Sequence, residues 1–123
     1  MRYLTDRKQA TGMGSGRDGT AHFWNMIVSS ILMVFAVPAL VLIVAAAMGG
    51  SHAEVTAYLA QPGIALITIL SAGVIINHVM HEALEAIEDY VHGTAGKLSI
   101  VACRAFAYVL IAATVFAVAR IAL

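Results

Sequence analysis

Apolar residues run almost unbroken over roughly 23–48, 61–81 and 98–123, with small and polar residues gathered between the runs. Each run reaches the ~20 residues that a helix needs to cross a ~30 Å hydrocarbon core. The pattern predicts an all-α chain with transmembrane helices over about 22–48, 61–88 and 97–122, forming one membrane domain over 1–123 with an N-terminal segment at 1–21. Pro38 falls inside the first run, where a membrane helix tolerates a kink without ending. The connections are "MGGSHAEVTAYLAQPG" and the shorter "EDYVHGTAGK". The chain shows neither an internal repeat nor a long linker.

Composition sharpens this picture. Of the 123 residues 61% are hydrophobic and 11% charged, and the mean hydropathy is +0.89, against about 45–50% apolar and about 25% charged in soluble domains. One domain of this size cannot bury so much apolar surface within itself, so lipid or partner subunits must cover the rest. The net charge of zero and the lack of a basic patch interleaved with aromatics leave no case for nucleic acid. The single cysteine, Cys103, can form no internal disulfide. The charged start followed by an apolar run and "AAA" superficially resembles a signal peptide. The run is too long for the usual 7–15-residue apolar core of such a peptide, and two more spans follow it.

Basic residues near the span ends set the orientation. Arg2, Arg7, Lys8 and Arg17 precede the first span, the first connection has no lysine or arginine, Lys97 and Arg104 flank the second connection, and Arg120 is near the C-terminus. The counts predict a cytoplasmic N-terminus and second connection. In a bacterial inner membrane the first connection and the C-terminus then face the periplasm.

The second run ends in dense chemistry. "GIALITILSAGVII" carries no charge, yet Glu82, Glu85, Glu88, Asp89, His78, His81 and His92 follow closely. At ~100° and ~1.5 Å per residue, Glu82, Glu85 and Asp89 all lie within about 40° of the direction of His78, on a stripe about 16 Å long. Tyr90 lies beside its end. An ionisable residue inside a bilayer is costly and is a functional-site hypothesis by default. Spacing alone is equally compatible with His78 as a polar core residue bonded to a neighbouring helix. By the same measure His81 faces the interface, the glutamates form a solvated or partner-facing helix end, and His92 is a loop residue. "HVMHE" is one histidine box where a di-iron site needs several. "GTAGK" is too short for a phosphate loop, and "GMGSG" follows no strand as a dinucleotide fingerprint requires.

Two motifs together resemble a known family. "GSGRDGTAHFW" before the first span, and His78 followed eleven residues later by "DYVHG", resemble the membrane-anchor D subunit of succinate dehydrogenase, respiratory complex II, of the alphaproteobacterial and mitochondrial type. The resemblance covers roughly residues 12–108. It implies half of a heterodimeric membrane anchor that pairs with the cytochrome b (C) subunit and holds an iron–sulfur and a flavoprotein subunit at the bacterial inner membrane. It implies a haem b shared with the C subunit, with His78 as this chain's iron ligand. It also implies a ubiquinone site to which Tyr90 donates a hydrogen bond beside Asp89. A neutral imidazole suits haem iron, and a phenol can donate to a carbonyl that gains charge on reduction. One position departs from the pattern: Ile27 stands where family members often carry an arginine near the haem propionates. Arg17 is the nearby candidate to replace that charge.

The expectation is therefore a non-catalytic electron-transfer subunit, inactive alone, with no catalytic residue of its own. A fumarate reductase anchor is the variant in the opposite direction. The competing classes are a small transporter or proton-conducting subunit that uses the stripe as a path, and a scaffold whose polar end only docks partners. Neither of those classes calls for a b-type haem.

Overall fold

In the computed structural model, residues 5–12, 14 and 18–123 are described, and every regular element among them is a helix. A short α1 (Asp6–Thr11) is followed by α2 (Asp18–Ala47), α3 (His52–Leu59), α4 (Pro62–Tyr90) and α5 (Gly93–Ala122). Three helices are long and apolar enough to cross a membrane: Gly19–Ala47 of α2, α4 and α5. The α2 helix continues through Pro38, as the sequence predicts.

Helix α4 is the middle of the bundle. It packs against α2 on one side and α5 on the other, while α2 and α5 do not meet among the described residues. The inner core is accordingly small. Met80 and Leu84 of α4 meet Ala107 of α5, with Ile76, Ile100 and Cys103 packed around them. Large apolar side chains point outward along all three spans, with Phe35 70%, Leu42 69% and Phe106 65% exposed. Burying a side chain of this kind is worth about 1.5–3 kcal/mol, so a chain leaving these in water would lose most of its driving force for folding. Hydrocarbon or a partner chain must therefore surround the three spans.

The ends of the spans are cut by local chemistry. Pro62 sits at the first position of α4, where its missing N–H costs nothing, and Gln61 precedes it in extended conformation. At the other end α4 stops when Val91 turns extended, and only Val91 and His92 separate it from α5. The turn requires two glycines. Gly93 has φ of 71°, and a Cβ on Gly96 would collide with the carbonyl of Val91. This tight reversal fixes Asp89 and Tyr90 at the rim of the bundle. The third span starts at Gly93, several residues before its apolar run begins.

The first connection contains a helix that the apolar pattern does not reveal. Ser51 caps α3 with a reciprocal capping box: its hydroxyl accepts from the Glu54 N–H, and the Glu54 carboxylate accepts from the Ser51 N–H at 2.7 Å. Hydrogen bonds from Ser51, the backbone N–H first and the hydroxyl second, hold the Glu54 carboxyl below the usual carboxylate range. The signal was present as "SHAE", a serine followed three residues later by glutamate.

Candidate functional site

The site lies along the seam between α2 and α4. On α2, His22, Met26 and Ser29 follow the i, i+4, i+7 spacing that puts them on one helix face. The α4 face opposite them carries His78, Glu82 and Glu85 at the same spacing. Two hydrogen bonds tie the faces together: Ser29 Oγ to His78 Nδ1 at 2.8 Å, and His22 Nε2 to Glu85 Oε1 at 2.7 Å. The second lies seven residues back along α2 and seven forward along α4 from the first. That is the register of two antiparallel helices. Because His22 is near the start of α2 and Glu85 near the end of α4, the polar stripe and the start of α2 share one side of the bundle.

His78 is largely enclosed, its side chain only 15% exposed. Its Nε2 comes no closer than 3.7 Å to Glu82 Oε1, beyond the 2.7–3.2 Å of a protein hydrogen bond. His81 behaves differently. Its Nδ1–H donates to the Asn77 carbonyl of its own helix at 2.8 Å, and its ring stands 6.1 Å from that of His22. His22 and Glu85 are about half exposed, 49% and 45%, so their pair is worth little as a stabiliser.

A hollow of about 450 Å³ opens beside the seam, lined among others by His22, Ile27, Ile31, Glu82 and Glu85. Ile27 thus faces the same space as the two glutamates. Arg17 lies outside the described residues, as do Arg2 and residues 15–17 of "GSGRDGTAHFW".

Asp89 and Tyr90 are not brought to His78. Both are exposed, Tyr90 by 84%, at the last turn of α4. That turn carries Glu88 and Asp89 and no basic residue, which opposes the negative end of the helix dipole. His92 occupies the N-cap position of α5 in the two-residue turn, with no side-chain capping hydrogen bond. Among the described residues no three histidine, cysteine or carboxylate side chains gather as a metal site. A protein-only cluster of the di-iron kind therefore has no ligand set here. A prosthetic group that takes a single ligand from this chain would need only one such side chain.

Could His78 serve such a group? The observation in favour is chemical. Its Nδ1 is engaged by Ser29, and its Nε2 has no hydrogen-bond partner among the described residues. An imidazole so held has one nitrogen to offer a metal.

The sequence profile of the succinate dehydrogenase/fumarate reductase transmembrane subunit matches residues 1–121. The chain belongs to that family. A succinate dehydrogenase hydrophobic membrane anchor subunit from Paracoccus denitrificans is 39% identical over 123 residues, which is 100% of this chain and 95% of the relative. No solved structure gives a significant match. The resemblance carried by "GSGRDGTAHFW" and "DYVHG" is thus borne out at the level of the family. Within this transmembrane subunit, sequence reasoning picked out His78, Asp89 and Tyr90 but not Ser29 or the His22–Glu85 pair. His22 was visible in the first motif. Ser29 could have been suspected only from its spacing of seven residues from His22.

Proposed function

We propose that the chain is the hydrophobic membrane-anchor subunit of a succinate:ubiquinone oxidoreductase. It has no activity of its own. It forms one membrane domain, pairs with a cytochrome b (C) subunit into a heterodimeric anchor, and holds the iron–sulfur and flavoprotein subunits at the cytoplasmic face of a bacterial inner membrane. The observation that carries this reading is the His78 imidazole, enclosed within a span and engaged through Nδ1, with Nε2 left to a group from outside the chain. The 39% identity with a named anchor subunit along the whole chain supports it.

The residues divide the work along the stripe. His78 ligates haem b iron from the α2–α4 seam, in partnership with a ligand from the C subunit. When bound, the haem supplies a one-electron redox centre within the membrane. Tyr90 donates a hydrogen bond to a ubiquinone carbonyl at the rim, and Asp89 orients or tunes the phenol. The outward-facing apolar side chains of α2 and α5 meet lipid or the C subunit.

Purification of the tagged chain from membranes should bring down a flavoprotein and an iron–sulfur protein, and the complex should oxidise succinate. Recovery of the chain without a flavoprotein would favour the transporter or scaffold classes. In the same membranes, reporter fusions after residue 55 and at the C-terminus should both read as periplasmic. A cytoplasmic signal from either one contradicts a cytoplasmic N-terminus with three crossings.

A further inference from the structure

We propose that Ser29 is the positioning residue for His78. Its hydroxyl accepts the Nδ1 proton, which fixes the ring and its tautomer so that the Nε2 lone pair is the one presented to iron. The inference rests on His78 being an iron ligand and adds the residue that orients it.

The assignment of the proton follows from the network. The Ser29 hydroxyl has one hydrogen, and it donates that hydrogen to the Met26 carbonyl at 3.0 Å. With its hydrogen on the Met26 carbonyl, the same oxygen is left to accept from His78 Nδ1 at 2.8 Å, the arrangement in which Nδ1 carries the hydrogen. The opposite tautomer would need its Nε2–H satisfied by Glu82, which is 3.7 Å away, and would need Ser29 to abandon Met26. A neutral imidazole protonated at Nδ1 has its lone pair at Nε2. Metal-bound histidines usually donate their second ring N–H to an oxygen in this way, which orients the ring and makes the ligand more basic. Ser29 is well placed for the task. It sits on the helix packed against α4, so it fixes the ring across the seam and leaves the open side of α4 free.

Ser30 provides an internal control. Its hydroxyl also donates to the Met26 carbonyl, at 2.8 Å, but it has no bond to His78.

The test uses the intact complex carrying Ser29→Ala, Ser29→Thr or Ser30→Ala, with haem content, haem reduction potential and the low-spin electron paramagnetic resonance spectrum as readouts. Losing the hydrogen bond makes His78 a poorer donor and favours the reduced iron. Ser29→Ala should shift the reduction equilibrium three- to tenfold toward ferrous haem, tenfold being 59 mV for one electron, with altered g-values. Ser29→Thr, which keeps the hydroxyl, should return both to the wild-type values, and Ser30→Ala should leave them there. Loss of haem in Ser29→Ala with retention in Ser29→Thr supports the same role. An alanine variant with wild-type haem content, potential and spectrum overturns the proposal. Equal loss of haem or assembly in the alanine and threonine variants also overturns it, because the hydroxyl would then not be what matters. His78→Ala separates the two levels. If that variant keeps an unchanged haem, iron ligation by His78 fails. If it loses the haem while Ser29→Ala changes nothing, only the role of Ser29 fails.

Discussion

His78→Ala should remove the b-haem Soret band, or shift it strongly, in a complex that still assembles. Assembly survives because little else depends on the ring. When the imidazole is deleted, the Ser29 hydroxyl keeps its bond to the Met26 carbonyl, so no buried polar group is left without a partner. The α2–α4 register keeps its second tie between His22 and Glu85. The nearby core of Met80, Leu84 and Ala107 is untouched. The iron, by contrast, would lose the one ligand that this chain is proposed to give it. The check is a reduced-minus-oxidised spectrum per mole of flavin. A spectrum identical to that of the wild type refutes ligation by His78. His81→Ala should be made in parallel, because the His81 ring also has its Nδ1 engaged, by the Asn77 carbonyl. If His81→Ala is the variant that loses the band, the ligand lies one turn further along α4.

The large features of the fold were legible because lipid imposes them. Three uninterrupted apolar runs admit few alternatives to three spanning helices, since every backbone polar group in hydrocarbon must be satisfied within its own segment. The stripe from His78 to Asp89 was legible for a related reason. Titratable residues at helical spacing stand out against a charge-free run, and the acidic end of α4 breaks the dipole rule with no basic residue in its last turn. Places where a local rule is broken are where function is expected. Helix α3 was missed because its eight residues sit between glycine- and proline-rich ends that read as a loop, although its capping box was written in the sequence. Ser29 was missed for a deeper reason. A serine in an apolar helix is by default bonded to its own backbone, as Ser30 is to Met26. Only the register between α2 and α4 shows which of the two adjacent hydroxyls meets an imidazole, and register is a tertiary property. The same register shows that Ile27 and Glu82 line one hollow, a neighbourhood that the sequence could not reveal.

Tyr90→Phe should leave assembly intact and lower succinate–quinone turnover by about tenfold or more. The phenol ends α4 and is 84% exposed, so its hydroxyl supports no packing and its loss leaves no cavity. At the rim, an amphipathic quinone head can enter from lipid and trade water for the phenol as hydrogen-bond donor. A typical hydrogen bond contributes about 0.5–1.5 kcal/mol net, while tenfold in rate requires about 1.4 kcal/mol. The bond must therefore strengthen as the carbonyl gains charge, as interactions that act on the rate do. Loss of a uniform contribution to quinone binding would instead raise KM and spare kcat. Asp89, exposed beside Tyr90, acts through the phenol, so Asp89→Asn should move quinone turnover in the same direction by a smaller factor. Succinate oxidation with an artificial acceptor at the soluble subunits should be normal in both variants, which separates a quinone-site defect from a general one. Wild-type quinone reduction in Tyr90→Phe would make Tyr90 an interfacial aromatic, with the quinone carbonyl bound elsewhere on the anchor.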